Sequence, residues 1–275
     1  MPEFPEVATL INWLNHQNFF GVKIKKIIFI DDIVLKNSTK KSFIDFVCNE
    51  TIRKISQIGK FIIFHLSNNK IIEIHLRLEG KIFYLLNNEK SKFPMIEIYL
   101  TNGKKIVYDD SRKFGTINIY NNYQDLLNST EIKKLGKQPF DQTLTANYLF
   151  NCFKNKTQKI KTTLLDQTII AGIGNIYADE TLFLCKISPF RQTNKISLKE
   201  CQLIIDNCRE IMSKSIKNKG TTVFSYQYAL NHSGSFQKYL KVYGRKNLPC
   251  LRCGSILYWT KINGRGTTYC KKCQK

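Results

Sequence analysis

Apolar and polar residues alternate along the first half of the chain, and this pattern predicts one helix followed by a series of strands. Apolar residues three and four positions apart predict an amphipathic helix over residues 6–18. The short runs that follow are separated by turn signals such as Asn102-Gly103. They predict strands over residues 22–30, 51–58, 61–66, 71–76, 81–86, 95–100, 104–108 and 116–120. Eight short strands at this spacing are typical of a β-sandwich or a β-barrel.

The hydrophobic period becomes helical after residue 123 and predicts helices over residues 123–128, 145–153, 175–184 and 197–217. The last segment predicts a β-hairpin. The chain is therefore expected to have a mixed α+β fold with three domains: a β domain with a leading helix at 1–130, a helical domain at 131–240 and a small domain at 241–275.

Composition excludes several classes of protein. A hydrophobic content of 43% and an aromatic content of 12% are too high for a disordered or collagen-like chain. No apolar run reaches the length of a membrane-spanning helix, so we expect no membrane span. The first residues, MPEFPEV, contain two acids and no apolar stretch, which argues against a signal peptide. We therefore expect a cytoplasmic protein.

The charge is strongly positive and unevenly distributed. The chain has 43 Lys and Arg residues against 21 Asp and Glu residues, a net charge of +22. Residues 211–275 contain thirteen Lys or Arg residues and no Asp or Glu. An AT-rich coding bias would explain abundant lysine but not the absence of acids from one stretch. The distribution predicts a polyanionic partner, with nucleic acid favoured over an anionic membrane surface.

Four of the nine cysteines have the spacing of a metal site. Cys250 and Cys253 form one Cys-x2-Cys pair, and Cys270 and Cys273 form a second pair after sixteen residues. Two such turns aim four thiolates at one tetrahedral ion, which predicts a closed structural zinc site. A disulfide pair is the alternative, but it fits poorly with an odd number of cysteines and no secretory signal. The scattered cysteines are expected to be buried thiols; these are Cys48, Cys152, Cys185, Cys201 and Cys208.

The N-terminus offers a candidate nucleophile. Initiator methionine is generally removed before proline, so processing would leave Pro2 with a secondary amine. An α-amino group titrates near pH 8, so a fraction of it is nucleophilic at neutral pH. Attack on an aldehyde carbon gives an iminium ion, and Glu3 lies within reach to move a proton. The alternative is an ordinary helix start, with Pro5 in the first turn and acids favouring the helix dipole.

Two clusters suggest contacts with DNA. Gly172 and Gly174 precede a predicted helix with Asn175 as its N-cap, where backbone N–H groups could bind phosphate. An interhelical turn is the equal alternative. Arg112 stands two residues before Phe114 between two strands, which suits base-edge hydrogen bonding with insertion into the base stack. The alternative there is an ordinary charged β-turn.

A third cluster lies between the two cysteine pairs. The sequence Asn263-Gly264-Arg265-Gly266-Thr267 places an arginine between two glycines at the tip of the predicted hairpin. Glycine allows close backbone approach to a ligand and leaves the guanidinium group accessible. This position suits the binding of a phosphate.

Taken together, the motifs resemble those of the formamidopyrimidine-DNA glycosylase family, which are bifunctional repair enzymes that remove oxidised purines. The resemblance extends over essentially the whole chain, through ordered motifs at residues 1–6, 75–80, 110–115, 160–180, 220–222, 242–245 and 264–267. It implies an N-terminal β-sandwich, a helix–two-turn–helix domain and a zinc finger with one structural zinc. It also implies damaged double-stranded DNA as the partner, a monomer without an obligate protein partner and a nucleoid-associated location.

The resemblance also implies roles for individual residues. Pro2 would attack C1′ of the damaged nucleotide and Glu3 would be the acid/base, with β,δ-elimination leaving a one-nucleotide gap. Lys60 would contact phosphate and assist elimination, and Arg265 would clamp the flanking phosphates. Three other residues would contact the DNA at the lesion: Leu78 would fill the void left by the extruded base, Arg112 would pair with the orphaned cytosine and Phe114 would insert into the base stack. The DNA backbone would be contacted by Lys161, Asn175 and Tyr177. Residues expected to recognise the base are Glu6, Glu79, Thr221, Thr222 and Tyr226, partly in a loop that closes over the everted purine.

Three positions depart from the family pattern. Leu78 stands where methionine is usual, but its similar volume should preserve its role. Phe93, before a strand, stands where a DNA-contacting histidine is frequent, which puts that contact in doubt. The turn at residues 135–140 reads LGKQPF in place of the family's LGPEPL.

Three other functions compete with this interpretation. Endonuclease VIII shares the N-terminal chemistry but prefers oxidised pyrimidines; it usually has glycine at the position of Phe4 and lacks the arrangement of Arg112 and Phe114. A catalytically silent DNA-binding homologue would be expected to lack Pro2 or Glu3. A zinc-ribbon protein that binds RNA or the ribosome fits the charge but not the N-terminal residues.

Overall fold

The computed structural model describes residues 1–222 and 226–275. The chain forms two compact units. The first comprises Met1–Lys133 and Asn218–Ser235, and the second comprises Lys134–Lys217 and Phe236–Lys275. Within the described ranges, no helix has both the length and the apolar character needed to cross a membrane.

The first unit is a β-sandwich of two four-stranded antiparallel sheets with a helix at its start, as expected. One sheet has the order β1-β6-β7-β5, and the other has the order β2-β3-β4-β8. Alternate residues of both sheets point into one core, together with one face of α1. The elements are α1 (Phe4–Asn15), β1 (Ile24–Phe29), α2 (Lys40–Val47), β2 (Ile52–Ile58), β3 (Phe61–Leu66), β4 (Ile71–His75), β5 (Lys81–Leu86), β6 (Pro94–Leu100), β7 (Lys104–Asp109), β8 (Thr116–Tyr120), α3 (Tyr123–Asn128) and α4 (Thr130–Lys133).

The second unit is helical and ends in a small hairpin. The long helix α8 packs on both α5 and α7, and α7 also packs on the hairpin strand β10. Its elements are α5 (Ala146–Phe153), α6 (Ile160–Leu164), α7 (Asn175–Leu184), α8 (Leu198–Lys217), β9 (Tyr258–Ile262) and β10 (Arg265–Tyr269). Short 3₁₀ turns occupy Ser67–Asn69, Thr193–Lys195 and Phe236–Tyr239.

All eight predicted strands and all of the predicted helices are present, with ends shifted by a few residues at most. The pattern missed α2, because this eight-residue helix buries only Phe43 and Val47 and so carries little periodic signal. The Thr39 hydroxyl caps it by accepting the Ser42 N–H at 3.2 Å. The predicted N-cap of α7 was wrong by one residue, since Gly174 occupies that position and Asn175 is the first helical residue.

Candidate functional site

The first residues of the chain are held by the capping of α1. Glu3 is the N-cap residue and forms a reciprocal capping box with Glu6, whose Oε2 accepts the Glu3 backbone N–H at 2.9 Å. Pro5 lies in the first turn, where the helix needs no N–H from it. Met1 is 46% exposed, whereas Pro2 and Glu3 are buried. Helix capping thus fixes the backbone of Glu3, the residue directly after Pro2.

Gln57 connects this N-terminal segment to the turn that carries Lys60. The Gln57 amide donates to the Phe4 carbonyl at 3.0 Å and to the Gly59 carbonyl at 2.7 Å. Gly59 has φ +58, a conformation that favours glycine in the tight turn between β2 and β3. Lys60 is buried immediately after it. The structure therefore ties the turn that carries Lys60 to Phe4, the residue after Glu3.

The Glu6 carboxylate also binds the start of the predicted base-recognition loop. Its Oε1 accepts the Thr221 backbone N–H at 2.8 Å, so one carboxylate connects this residue to Glu3. The Tyr226 hydroxyl donates to the Glu6 carbonyl at 2.8 Å. Burial, with the Glu6 charge, raises the pKa of Tyr226 well above its ordinary value, so the phenol stays a donor. Thr222 is half-buried, and residues 223–225 of the predicted loop lie outside the described residues.

Three predicted DNA contacts are exposed on two connections between strands. Residues 76–80, the Leu78 turn, follow β4 and leave the Leu78 side chain 37% exposed. Residues 110–115, the Arg112 loop, connect β7 and β8 and leave Phe114 55% exposed. The Arg112 guanidinium lies 5.3 Å from the centre of the Phe114 ring. Glu79, predicted to recognise the base, is half-buried in the Leu78 turn.

A buried neutral histidine supports the Leu78 turn. The Nδ1 atom of His75 accepts the Arg77 backbone N–H at 3.0 Å, and Arg77 has the positive φ of +50. The ring packs edge-on against Phe61 at 4.6 Å. Burial, together with the charges of Arg77 and Lys60, lowers the pKa of His75 to about 3. The imidazole is thus neutral at physiological pH and available as a backbone acceptor.

The Arg112 loop is organised by the carboxylate of Asp110. Asp110 is buried, and its Oδ1 accepts the Arg112 backbone N–H while its Oδ2 accepts that of Gly115, each at 2.9 Å. Two fixed backbone positions therefore flank Phe114, and the aromatic side chain projects from a rigid loop.

In the second unit, Lys161 lies in a buried ion pair. Its Nζ atom is 2.6 Å from Asp179 Oδ1 and donates to the Gly266 carbonyl and the Thr267 hydroxyl, each at 2.8 Å. Asp179 Oδ2 accepts the Thr268 N–H at 3.0 Å. Burial raises the pKa of Asp179 to about 7, although the Lys161 charge favours the ionised carboxylate. Lys161 is fully buried, so in this structure it joins α6 and α7 to β10 and has no surface through which to contact DNA directly.

Asn175 contacts Gly266, the residue that follows Arg265 in β10. The Asn175 amide donates to the Gly266 carbonyl at 3.0 Å, which explains why its side chain does not cap α7. The Oδ1 atom of Asn175 is buried and accepts no hydrogen bond from the described part of the chain. Arg265 is exposed, just after the turn at Asn263 and Gly264, both of which have positive φ.

Tyr177 is also placed inside the protein. It is fully buried in α7, and its hydroxyl forms a 2.6 Å hydrogen bond with the hydroxyl of Ser215 in α8. Its side chain therefore fastens α7 to α8, and any contact of this residue with a phosphate has to involve the backbone.

Glu180 attaches the hairpin to α7 from the other side. Its carboxylate accepts the backbone N–H groups of Lys241, Val242 and Tyr243 at distances of 2.8–3.0 Å. Burial raises the pKa of Glu180, and the three N–H groups act in the opposite direction. Two adjacent acids of α7 thus hold different parts of the finger. Asp179 binds strand β10, and Glu180 binds the segment that leads into the hairpin.

The four predicted metal ligands converge on one point. The sulfur atoms of Cys250, Cys253, Cys270 and Cys273 all lie within 4.8 Å of one another. The Cys250–Cys273 and Cys253–Cys270 pairs are 3.9 and 3.6 Å apart. A tetrahedron with zinc–sulfur bonds of about 2.3 Å has edges of roughly 3.8 Å, so these residues fit one structural zinc ion.

The protonation of these thiols supports the same conclusion. Hydrogen bonds from Ser255 lower the pKa of Cys253 to about 6, whereas burial and the neighbouring sulfurs raise that of Cys273 to about 12. Four crowded thiols cannot all ionise without a cation between them, and a divalent ion removes this conflict. All nine cysteines of the chain are free thiols in the structure.

The predicted site residues form three groups. The first contains Pro2, Glu3, Glu6, Lys60, Thr221 and Tyr226, and the second contains Leu78, Glu79, Arg112 and Phe114. In the second unit, Lys161, Asn175 and Arg265 surround Gly266. Sequence analysis missed Gln57, Asp179 and Glu180. The two acids carried a detectable signal, since they lie inside an apolar helix of a strongly basic chain.

Three family models match successive parts of the chain. The formamidopyrimidine-DNA glycosylase N-terminal domain matches residues 1–117, and the formamidopyrimidine-DNA glycosylase H2TH domain matches residues 135–226. A zinc finger found in FPG and IleRS matches residues 247–275. The order agrees with the β-sandwich, the helical region and the four-cysteine hairpin described above.

Proteins similar over their whole length lead to the same family. The chain is 42% identical to the formamidopyrimidine-DNA glycosylase of Ureaplasma parvum over 276 residues, with 100% of each chain covered. It is 40% identical to that of Mycoplasma pneumoniae, with 100% of this chain and 99% of the relative covered.

Solved structures agree with these sequence relatives. A complex of the wild-type Lactococcus lactis Fpg with an N7-benzyl-Fapy-dG containing DNA has a TM-score of 0.92 at 32% identity, with 100% of each chain covered. A complex of the same species' Fpg with an abasic site containing DNA has a TM-score of 0.91 at 32% identity, with 99% of each chain covered.

The β-sandwich with a capped N-terminal proline segment, the helix–two-turn–helix region and the four-cysteine finger define a DNA glycosylase of the base-excision repair class. The matches over the full chain make the assignment more specific. The chain belongs to the formamidopyrimidine-DNA glycosylase family.

The neutral state of His75 predicts a pH-dependent contribution to stability. Because its folded-state pKa is depressed, the unfolded chain binds more protons between about pH 3 and 6.5, so stability rises with pH across this window. We expect the unfolding free energy of the wild type, relative to His75→Asn, to rise by at most about 1.4 kcal/mol per pH unit up to pH 6.5. Urea unfolding at several pH values measures this difference. A pH-independent difference would contradict the prediction, and the exposed His16→Asn variant is the control.

The zinc site predicts that loss of zinc weakens DNA binding but leaves the β-sandwich folded. We expect Cys250→Ser, or chelation of zinc, to weaken binding to damaged duplex DNA by roughly tenfold or more, because Arg265 loses its support. The β-sandwich should keep its amide hydrogen-exchange protection. Fluorescence anisotropy gives the affinity, and Cys152→Ser outside the cluster is the matched control. Unchanged affinity in Cys250→Ser would contradict this expectation.

Proposed function

We propose that this protein removes oxidised purines, 8-oxoguanine and formamidopyrimidines, from duplex DNA and then cleaves the DNA backbone. The amine of Pro2, freed by removal of Met1, attacks C1′ of the damaged nucleotide, and the glycosidic bond breaks as the base leaves. Glu3 transfers the proton that opens the sugar ring, and the iminium ion becomes the electron sink for elimination of the 3′ and then the 5′ phosphate. A one-nucleotide gap results.

One observation carries this proposal: helix capping and two side-chain bridges fix the backbone around Pro2. Glu6 connects Glu3 to Thr221, and Gln57 connects residue 4 to the turn of Lys60. A nucleophile works best when it is held beside its proton-transfer group, because orientation then costs no entropy at the moment of reaction. We propose that the Lys60 ammonium group contacts a phosphate and assists the elimination steps.

The exposed groups of the first unit suit extrusion of a base from the helix. Removing a nucleotide from the stack costs a few kcal/mol, and the hole has to be filled. We propose that Phe114 inserts into the stack, Leu78 fills the void and Arg112 pairs with the orphaned cytosine. We propose that base recognition involves Glu6, Thr221, Thr222 and Tyr226 around the N-terminal segment, together with Glu79 in the Leu78 turn.

In the second unit, Arg265 is proposed to clamp the phosphates beside the lesion. Asn175 contacts the DNA backbone at the start of α7, where helix N-termini favour anions. Lys161 and Tyr177 are proposed to serve DNA binding indirectly, because their side chains are buried and hold α7 and β10 in place.

The remaining features complete the proposal. One structural zinc shapes the finger, and the acid-free stretch from residue 211 onwards supplies a salt-dependent affinity for phosphates. We propose a monomer that needs no protein partner and acts at the nucleoid in the cytoplasm. The domain boundaries at 1–130, 131–240 and 241–275 are retained as part of this proposal.

Borohydride trapping tests the nucleophile. With 8-oxoguanine duplex DNA, we expect reduction of the iminium ion to give a covalent adduct that disappears in Pro2→Gly and in protein that retains Met1. Pro5→Gly is the matched control, since it changes a proline three residues further on, in the first turn of α1, without touching the terminal amine. An adduct that persists in Pro2→Gly on another residue would refute the assignment of Pro2.

Substrate choice separates this proposal from that of an endonuclease VIII-like enzyme for oxidised pyrimidines. The pairing of exposed Arg112 and Phe114 favours the purine-specific function. We expect excision of 8-oxoguanine opposite cytosine to be faster than excision of thymine glycol opposite adenine in the same duplex sequence. The opposite preference would overturn the proposal. The absence of excision and of any trapped adduct would favour a silent DNA-binding protein.

A further inference from the structure

The Leu78 turn and the Arg112 loop come from different strands, yet both rest on one buried hydroxyl group. A Cβ atom added to Gly80, two residues after Leu78, would lie 2.6 Å from the hydroxyl oxygen of Tyr108. A Cβ atom added to Gly115, directly after Phe114, would lie 1.5 Å from the same oxygen. At Gly115 the phenol oxygen occupies the space of a side chain, and at Gly80 it shares that space with the Leu76 carbonyl oxygen, which also lies at 2.6 Å, so both positions require glycine.

Tyr108 itself is anchored in the sandwich. It is 3% exposed on β7, where its backbone pairs with Ile82 of β5 and Ile96 of β6. Its hydroxyl donates to Asp110 Oδ2 at 3.3 Å, the same oxygen that accepts the Gly115 N–H. Burial and the Asp110 charge raise the pKa of Tyr108 far above its ordinary value, so the phenol keeps its proton. A rigid core side chain thus ends in a hydrogen bond to the carboxylate that shapes the Arg112 loop.

We propose that Tyr108 is a positioning residue that couples the Leu78 turn to the Arg112 loop. Its hydroxyl sets the distance of both segments from the core, so that Leu78 and Phe114 enter the DNA together and Arg112 meets the orphaned base in a fixed register. The proposal rests on the DNA-contacting roles assigned above to these three residues. Tyr108 touches neither substrate nor reacting atoms.

Replacement of Tyr108 by phenylalanine isolates the hydroxyl. Tyr108→Phe keeps the ring in the core but removes the hydrogen bond to Asp110 and the contact with both glycines. The matched control is Tyr84→Phe on the neighbouring strand β5. The Tyr84 hydroxyl accepts from Asn102 at 2.9 Å, in the turn at the other end of the β6–β7 hairpin. Both variants lose one phenol oxygen from the same sheet, but only Tyr108 contacts the proposed DNA-inserting segments.

The readout has to be one that a general loss of stability would not change. We expect Tyr108→Phe to lower the preference for 8-oxoguanine opposite cytosine over adenine by roughly threefold to tenfold, the equivalent of one hydrogen bond. Borohydride trapping on a preformed abasic site should remain at the wild-type level, because Pro2 is untouched. Tyr84→Phe should retain both properties.

A double-mutant cycle tests the coupling directly. Leu78→Ala and Phe114→Ala are combined in the wild type and in Tyr108→Phe, and base extrusion is followed by 2-aminopurine fluorescence beside the lesion. We expect the two effects to be non-additive in the wild type and additive in Tyr108→Phe. Should Tyr108→Phe not fold, Asp110→Asn replaces it, because an amide has one acceptor oxygen where the carboxylate has two, so either the Arg112 or the Gly115 N–H loses its acceptor. The cytosine preference should fall similarly.

The outcomes separate this inference from the function on which it rests. Loss of trapping with wild-type protein would refute the proposed chemistry. Normal wild-type trapping, together with a Tyr108→Phe variant that matches Tyr84→Phe in opposite-base preference, would overturn the role of Tyr108 alone. Additive effects of Leu78→Ala and Phe114→Ala in the wild type would likewise overturn the coupling.

Discussion

Buried carboxylates that accept backbone N–H groups hold the candidate DNA-contacting segments of this protein in place. Glu6 binds the start of the loop proposed to recognise the base, Asp110 shapes the Arg112 loop, and Asp179 and Glu180 attach the four-cysteine hairpin to α7. Burial of a carboxylate costs free energy unless such donors satisfy it. Each acid is therefore stable in its buried position only when the segment that donates to it is correctly folded. The arrangement also keeps these negative charges away from the surface of a protein whose partner is a polyanion. The side chains of Arg112, Phe114 and Arg265 remain exposed.

The β-sandwich was predictable because its strands have strong, short-range signals. Strands β3, β5 and β8 have the predicted limits, since apolar runs and turn residues define both ends. The zinc ligands were predictable from spacing alone, because each pair lies in one local turn. Helix α2 was not predictable, because two buried residues give no recognisable period. The N-cap of α7 was misassigned because Asn175 makes a hydrogen bond to Gly266, ninety-one residues away, that no local pattern reveals.

The candidate site was predictable as a set of residues but not as a set of contacts. Resemblance placed Lys161 and Tyr177 among the DNA contacts, and the structure buries both side chains. A sequence does not reveal that a lysine has its counter-ion inside the protein, because Asp179 and Gly266 reach it only through tertiary packing. Tyr108 illustrates the same limit, since its importance arises from two glycines on separate connections. Motifs therefore selected the candidate residues, and packing shows which of their side chains are exposed and which contact one another.

The burial of the first residues has a consequence for how the protein is made. Pro2 and Glu3 are buried and the capping box fixes the chain from Glu3 onwards, so Met1 is the exposed member of the first three residues. The peptide bond between Met1 and Pro2 therefore has one side enclosed by the fold, where a peptidase reaches it less easily than in an extended chain. For Pro2 to act as the proposed nucleophile, we expect removal of Met1 to be faster on the nascent chain than on the folded N-terminal unit.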